Sequence, residues 1–393
     1  MFVLCALAVG LLGGECVLQL VAKLSSHVDL LLFPAHQSVP DERLGHRPSP
    51  FFPGHDRKGF RNEQVPEEAR VVTIGDSQTY GVSLPPEDAW PRRLERASGW
   101  SVYSMAFGGY GPAHGLGLFE EALELKPKAI VYALYSGNDC YDSFRLVYTL
   151  GKLAELRSRD PEVLATIEAA ERREPLESMI WRAGGAAWAR QAGPVAGAWT
   201  FLSERCALYG VARAAKRLAA AAGRAPGWEE IRRDAEREPS VYHPIEHGAV
   251  RTVLMPSYRL CALDTRDPRI AEGLRITLEA LGRMHEEASK RGVVFVVFFL
   301  PTAEMVFEDT ASGAAIPPAL GRLLESEKAF WARTREHLAS RSIPYADMLP
   351  VLRRLVEAGR QPYPERPDGH PNAVGSAAIA EAALEALSTA FQK

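Results

Sequence analysis

Four short motifs of the 393-residue chain contain residue types that could do chemistry: Gly75-Asp76-Ser77, Gly108-Gly109, Gly137-Asn138-Asp139 and Asp368-Gly369-His370. A serine hydroxyl is a poor nucleophile at neutral pH and needs an adjacent base. Histidine suits that task because its ordinary pKa of about 6.5 lets it take and return a proton. The motifs therefore predict nucleophilic catalysis, with Ser77 as the nucleophile and His370 as the base.

The base needs an acceptor on its second ring nitrogen, and a carboxylate supplies one. Asp368 is the acidic residue nearest to His370 in the sequence, and the intervening Gly369 lets the loop fold back. Asp368 is therefore the predicted orienting acid, and Glu365 is the alternative.

An acyl-transfer reaction also needs donors for the oxyanion, each worth about 10²–10³ in rate. The backbone N–H groups of Ser77 and Gly109 and the side-chain amide of Asn138 are the predicted oxyanion hole. This chemistry calls for no metal and no cofactor.

Each motif also has a purely structural interpretation. Ser77 could cap a helix, the glycine pair could form a turn, and Asn138 could cap the helix after its strand. Asp76 and Asp139 are expected to hold loops by hydrogen bonding. His114 is expected to lie exposed at a helix start.

The elements that must position these residues follow from the apolar pattern. Strands are predicted at "ARVVTIGD", "WSVYSMA", "KAIVYALY", "VVFVVFFLP" and "IPYADM", and helices separate them. Five such strands predict an α/β fold with a three-layer, doubly wound parallel sheet. Since ligands bind at the carboxyl ends of strands in such sheets, all four motifs are expected at one rim.

At this point the sequence resembles the SGNH, or GDSL, hydrolase superfamily of esterases, lipases and related acyl-transfer enzymes. The resemblance lies in "IGDSQTYG", "AFGGYGP", "YSGNDCYD" and "DGHPN", in that order, within about residues 66–145 and 270–390. It implies a flavodoxin-like fold. It also implies, by position, the roles already given to Ser77, Gly109, Asn138 and His370.

Two positions depart from the family pattern. The third block is often Gly-x-Asn-Asp, whereas Ser136 fills its first place here. The last block often places two residues between Asp and His, whereas only Gly369 separates them here. Asp368 is therefore the least secure of the predicted site residues.

The chain is predicted to contain a hydrolase domain over 66–390, with a helical insertion at about 145–265. That insertion holds Trp181, Trp188, Trp199 and Trp228. These side chains either fill a small core of the insertion or form a lid or acyl-binding surface. "SYRLCALDTRDPRI" and "LPTAEMVFED" give no chemical argument of their own, so Thr302 and Glu304 are expected to cap the fourth strand rather than approach substrate.

The N-terminal segment differs from the rest. Residues 1–24 are mostly apolar, with Glu15 as their only charge before Lys23, and are predicted to be an N-terminal membrane anchor. A cleaved signal and a buried helix are the alternatives. Residues 25–65, rich in proline and histidine, are predicted to be an extended connector. An anchored catalytic domain would be extracytoplasmic, either periplasmic or at the cell surface.

Composition excludes some function classes. The net charge is −3, without a run of Lys and Arg, which argues against a nucleic-acid partner. The five cysteines form no C-x-x-C pair, so neither a zinc ribbon nor a dithiol motif is supported. One bridge among Cys140, Cys206 and Cys261 stays open for an extracytoplasmic domain.

The leading hypothesis is hydrolysis of a carboxylic ester in a small molecule, a lipid or a glycan, through an acyl-enzyme on Ser77. The first alternative is a membrane-tethered O-acyltransferase that passes the acyl group to a polysaccharide. The second is a catalytically inactive glycan-binding module. The acyl chain, the alcohol and the oligomeric state do not follow from the sequence.

Overall fold

The computed structural model describes residues 2–185, 205–222, 226–311 and 316–392. The strands in these ranges are β1 (Ser38–Asp41), β2 (Gly45–Pro48), β3 (Val71–Gly75), β4 (Val102–Ala106), β5 (Ala129–Tyr135), β6 (His243–His247), β7 (Val250–Leu254), β8 (Val294–Leu300) and β9 (Tyr345–Asp347). The helices of the first part are α1 (Phe2–Leu24), α2 (Ser26–Leu32), α3 (Ser77–Tyr80), α4 (Trp90–Ser98), α5 (Pro112–Glu124), α6 (Asp139–Phe144), α7 (Pro161–Arg173) and α8 (Leu176–Ala183). Those that follow are α9 (Ala207–Ala222), α10 (Trp228–Ala235), α11 (Pro256–Leu263), α12 (Pro268–Lys290), α13 (Ala303–Val306), α14 (Glu308–Ala311), α15 (Pro318–Ser340), α16 (Leu349–Glu357) and α17 (Ala373–Ala390).

Five strands form one parallel sheet in the order β4-β3-β5-β8-β9. This is the flavodoxin-like order, in which chain direction across the sheet reverses beside the first strand. The prediction of an α/β fold with a five-stranded parallel sheet is confirmed. The strand ends that the sequence motifs follow therefore meet at one rim.

Strands β3, β4 and β5 are buried at every position and β8 at all but its first, which explains their mainly apolar sequences, whereas the edge strand β9 is partly exposed. Alternate side chains of β5 enter two separate cores, with Ile130 and Tyr132 on one face and Val131 and Ala133 on the other. Helices α5, α6 and α12 cover the first face, and α4 and α17 cover the second. The sheet is thus the middle of three layers and fixes the height of the loops at its carboxyl rim.

The segment predicted as a connector, residues 25–65, is structured and packs on the domain. It contains α2 and the antiparallel hairpin β1–β2. Asn62 pairs with the backbone of Ser104 in both directions, at 3.0 Å each, and so extends the edge of β4. Phe60 is fully buried. The Pro- and His-rich composition predicted a loop. The partners that order this segment lie far away in the sequence, so the composition did not reveal them.

The predicted insertion is not purely helical. Within the described part of residues 145–265 it contains α7 to α11 and the hairpin β6–β7. Trp228 is buried in a small cluster with Ala235 and Val253, as expected for a core of the insertion's own. Trp181 instead lines the cavity described below. Trp188 and Trp199 lie outside the described residues.

Residues Phe2–Leu24 form α1, and the one acidic residue in it has protein partners. Glu15 accepts hydrogen bonds from the backbone N–H groups of Ala207 at 2.7 Å and Leu208 at 2.9 Å, at the start of α9. In the described ranges, no helix has the length and apolar character needed to cross a bilayer. The predicted membrane span is therefore not supported, and the extracytoplasmic location stays a prediction.

The open possibility of a disulfide is not realised. Cys140, Cys206 and Cys261 are free thiols, as is Cys16.

Candidate active site

Ser77 is held at the rim by the strand-to-helix turn that follows β3. Asp76 caps α3, because its carboxylate accepts the N–H of Gln78 at 2.9 Å. A side chain at Gly75 would meet Thr79 Oγ1 at 2.5 Å, so the turn packs tightly against its own helix. Since Asp76 is the cap, the Ser77 hydroxyl remains available for another partner.

That partner is His370, on the loop that follows β9 and precedes α17. His370 Nε2 lies 2.8 Å from Ser77 Oγ, and its Nδ1 lies 2.7 Å from Asp368 Oδ1. The Gln78 amide donates to the carbonyl of Gly369 at 3.2 Å, which ties this loop to the Ser77 helix. The structure thus brings the three predicted catalytic side chains into one hydrogen-bonded row.

Asp368 is well placed to orient the imidazole. Its Oδ1 also accepts the backbone N–H of His370 at 3.1 Å, while Ser83 and Arg366 donate to Oδ2 at 3.1 and 3.2 Å. Burial alone would raise the pKa of Asp368, but the hydrogen bonds and charge of His370 outweigh it and lower the pKa to about 2. The alternative acid, Glu365, is exposed.

The predicted oxyanion donors share a cavity with Ser77. This cavity has a volume of about 550 Å³, and its lining includes Ser77, Gly108, Gly109 and Asn138. Gly109 has a φ of +77°, a conformation that side-chain-bearing residues rarely adopt. A Cβ built on Gly108 would lie 3.9 Å from Ser77 Cβ, so the Gly108–Gly109 segment runs directly beside Ser77.

Asn138 follows β5, and its side chain does not cap α6. Its Nδ2 donates to Asp142 Oδ2 at 2.8 Å, which leaves the second amide hydrogen for another acceptor. Its Oδ1 is buried without a hydrogen-bond partner among the described residues. Asp142 is buried, and that burial, with the charge of Asp76, raises its pKa to about 7.

Asp76 and Asp139 hold the loops, as their positions predicted. Asp139 Oδ2 accepts the backbone N–H of Tyr135 at 3.0 Å. Both carboxyls are fully buried, and burial raises the pKa of each above its ordinary value. For Asp76 the N–H of Gln78 and the positive charges of His370 and Arg259 act in the opposite direction. The Ser77 hydroxyl lies 3.4 Å from Asp76 Oδ2, a longer contact than its 2.8 Å contact with His370 Nε2.

His114 differs from its prediction. The side chain is buried, not exposed. Its Nδ1 accepts the backbone N–H of Gly111 at 3.1 Å, which gives the buried ring a hydrogen-bond partner. Its ring stacks on Tyr110 with centroids 4.7 Å apart. Burial lowers the pKa of His114 well below its ordinary value, so the ring is neutral packing beneath the glycine turn.

Thr302 and Glu304 are brought near α15 and α11 rather than to Ser77. The Thr302 hydroxyl caps α13 and donates to buried Glu327 at 2.5 Å. Glu304 accepts the backbone N–H of Met255 at 2.8 Å, just ahead of α11. These contacts anchor the segment after β8 and give the two residues structural roles.

Sequence reasoning missed several residues of the cavity. His46 comes from the hairpin that was predicted as connector, and Arg145, Glu177, Trp181 and Tyr258 come from the insertion. Arg145 Nε lies 3.4 Å from Glu177 Oε1. The weak signal available was the combination of aromatic and cationic residues in the insertion, which suggested a surface next to the site.

The buried Arg259 also comes from the insertion. Its guanidinium lies over the rings of Tyr135 at 5.3 Å and Tyr258 at 4.9 Å. A Cβ built on Gly369 would lie 2.6 Å from Arg259 Nη2, so the guanidinium of Arg259 packs directly against the His370 loop. For a metal, the described residues offer no group of three or more His, Cys, Asp or Glu side chains that could hold an ion.

No protein-family model matches this sequence, and no curated protein matches it either. Solved structures that resemble the chain include a protein of the G-D-S-L family from Desulfitobacterium hafniense, with 12% identity, a TM-score of 0.37, and coverage of 81% of this chain and 99% of the other. A GDSL-like lipase from Bacteroides thetaiotaomicron has 12% identity and a TM-score of 0.34, over 84% of this chain and 91% of its own.

A catalytic mutant of an acetylxylan esterase from Geobacillus stearothermophilus has 9% identity and a TM-score of 0.35, over 82% of this chain and 95% of its own. These three structures are described as a G-D-S-L family protein, a GDSL-like lipase and an acetylxylan esterase. At TM-scores below 0.5 these likenesses establish no activity for this chain, so its function must be inferred from its own side chains.

Proposed function

We propose that the protein is a serine-dependent carboxylic ester hydrolase. The observation that carries this proposal is the row from Ser77 Oγ through His370 to Asp368, with hydrogen bonds of 2.8 and 2.7 Å. A nucleophile, a base and an orienting acid in that order are what acyl transfer to serine requires. The row opens onto a cavity that also holds the turn at Gly109 and the amide of Asn138.

In the first half-reaction, Ser77 Oγ attacks the ester carbonyl carbon and His370 Nε2 takes the hydroxyl proton. The carbonyl oxygen becomes an oxyanion, for which the N–H groups of Ser77 and Gly109 and the Asn138 amide are the proposed donors. Collapse breaks the bond to the alcohol oxygen, which receives the proton from His370. The products are the alcohol and an acyl-enzyme.

In the second half-reaction, a water molecule attacks the acyl carbon and His370 takes a proton from it. The second tetrahedral intermediate collapses, the ester bond to Ser77 breaks, and His370 returns the proton to Ser77 Oγ. The carboxylic acid leaves and the enzyme is regenerated. Asp368 keeps its negative charge throughout the neutral range, since its pKa is lowered to about 2, and so holds the Nδ1–H of His370.

The cavity suits an ester with both apolar and polar parts. Rings of Tyr141, Trp181 and Tyr258 and charges of Arg145 and Glu177 contribute to its lining. A volume of about 550 Å³ is within the range of sites that bind small organic molecules. Short and medium acyl esters are therefore the proposed substrates.

The test uses the full chain with p-nitrophenyl acetate and p-nitrophenyl butyrate, and with a fluorophosphonate probe. Ser77→Ala is expected to lower kcat by at least about 10³-fold and to abolish labelling, because no nucleophile remains. Ser340→Ala, at the exposed last residue of α15, is the matched control and should behave as wild type. Unchanged turnover in Ser77→Ala, or an unlabelled wild type without turnover, would reject the proposal.

A further inference from the structure

His46 makes a contact that the proposed reaction does not yet use. Its ring lies in the cavity with Ser77, and its Nε2 is 3.3 Å from the carbonyl oxygen of Gly108. That carbonyl belongs to the same peptide unit as the Gly109 N–H, which is a proposed oxyanion donor. Because a trans peptide is planar, fixing the direction of the C=O also fixes the opposite direction of the N–H.

This peptide lies at the centre of a four-residue β-turn, and such turns can in general be type I or type II. The N–H of Tyr110 donates to the carbonyl of Phe107 at 3.3 Å, which closes a four-residue turn with Gly108 and Gly109 at its centre. The φ of +77° at Gly109 is that of a type II turn, whereas a type I turn has a φ of about −90° there. The two forms differ by rotation of the central peptide.

The sequence of the turn leaves this choice weakly determined. Glycine populates positive and negative φ about equally, so a Gly-Gly centre has little steric preference for either form. A rotated peptide would direct the Gly109 N–H to the other side of the turn. An interaction from outside the turn must therefore select the observed form.

His46 is held firmly enough to supply that interaction. The Tyr110 hydroxyl donates to the His46 carbonyl at 2.9 Å, and Arg47 next to it forms ion pairs with Asp41 and Glu121. The His46 ring packs against Phe107 and Tyr110, with centroids 5.8 and 5.3 Å apart.

The neutral form of the His46 ring can still donate from Nε2. Burial, together with the charge of Arg145, lowers the pKa of His46, so the ring is neutral at pH 7. A neutral ring carries one N–H, and the acceptor at Gly108 favours its placement on Nε2.

We propose that His46 is a positioning residue for the oxyanion hole: by donating from Nε2 to the Gly108 carbonyl, it holds the Gly108–Gly109 peptide in the form that the Gly109 N–H needs. This inference rests on the proposed ester hydrolysis. His46 itself need not contact the reacting atoms. Its action should appear in the stabilisation of the transition state and not in substrate binding.

The test compares substitutions at position 46 in the full chain, with p-nitrophenyl butyrate as substrate. His46→Met removes the donor and keeps an unbranched side chain, whereas His46→Gln has a similar shape and an amide donor. We expect His46→Met to lower kcat by about 10- to 100-fold, which is less than the loss that follows complete removal of an oxyanion donor. KM should stay within about threefold of the wild-type value. His46→Gln should recover most of kcat.

His46→Asn is a second variant without the contact, because its amide is one methylene too short to reach the Gly108 carbonyl. It can be compared with His46→Gln if His46→Met does not fold. Equal kcat in wild type and in Met or Asn would overturn the inference, as would a loss confined to KM or a Gln variant no better than Met. Wild type and Ser77→Ala are run in the same assay. If turnover depends on Ser77 but kcat is unchanged by substitutions at position 46, only the role of His46 is rejected. If no turnover depends on Ser77, the proposed function and the inference are rejected together.

Discussion

The hydrogen bonds around Asp368 distinguish it from other acids near His370. It accepts from the ring and the backbone N–H of His370, and its pKa is lowered to about 2. Glu365, three positions earlier, is exposed. Only one residue separates Asp368 from His370, and this spacing made Asp368 the least secure prediction. The loop nevertheless lets Asp368 accept from both the ring and the backbone N–H of His370.

We expect Asp368→Asn to lower kcat by about 10²- to 10⁴-fold, because an amide at this position can stabilise the wrong tautomer of His370 and carries no charge for the imidazolium. Steady-state kinetics with p-nitrophenyl butyrate measures the loss. Glu365→Gln is the matched control and should retain wild-type kcat. A larger loss in the Glu365 variant would assign the acid to that residue instead.

Single residues were predictable where chemistry demands a residue type. Ser77, His370 and Asp368 follow from the needs of acyl transfer, and the structure places them in one row. His114 was predicted to be exposed because a histidine at a helix start often is. Its burial depends on a stacking contact with Tyr110 and on a backbone N–H partner, neither of which the sequence displays.

At the scale of elements, the turn after β4 is the part of the site most sensitive to backbone conformation. We expect Gly109→Ala to lower both stability and kcat, since a φ of +77° costs an L-residue about 1–2 kcal/mol. Relaxation of that strain would rotate the Gly108–Gly109 peptide. The same substitution at Gly99, with a φ of +69° and no atom within 4 Å of the new Cβ, is the control.

Thermal unfolding and kcat are measured for both alanine variants. Gly99→Ala should lose a similar free energy of unfolding while keeping its activity. If Gly109→Ala keeps wild-type kcat, or if Gly99→Ala loses activity equally, the turn has no special role in the reaction.

The elements were predictable where their sequences are continuous and apolar. All five sheet strands fall inside the predicted segments. A strand buried on both faces, such as β5, is apolar along its whole length, whereas the edge strand β9 is partly exposed. The hairpin β1–β2 was not predictable, since "SVPDERLGHRP" has neither apolar alternation nor a tight-turn signal. Ion pairs of Arg47 with distant Glu121 and the bond from Tyr110 to His46 stabilise it. His46 was missed for that reason.

At the scale of the whole molecule, three buried carboxyl groups link stability to pH: Asp76, Asp139 and Asp142. The pKa of Asp142 rises from an ordinary value near 3.9 to about 7, so between these values the folded protein holds a proton that the unfolded chain has lost. Stability from this proton is fully present below about pH 4 and is lost as the pH rises through about 7. Buried histidines with lowered pKa, such as His114, act in the opposite direction.

We therefore expect the difference in unfolding free energy between Asp142→Asn and wild type to change with pH. The amide can still accept from Asn138 but never ionises. At about 1.4 kcal/mol per pKa unit, the variant should gain about 2.7 kcal/mol over wild type between pH 5 and pH 8. Urea unfolding at several pH values measures this. A difference independent of pH would show that Asp142 does not titrate in this range.

Ser77 and His370 lie 293 positions apart, the nucleophile after β3 and the base after β9. Domains begin to fold from the N-terminus while the ribosome is still adding residues. A nascent chain can therefore complete the turn around Ser77 long before its imidazole partner has been synthesised. Until then Ser77 is an ordinary alcohol, so the proposed ester hydrolysis would require that almost the whole chain has been synthesised.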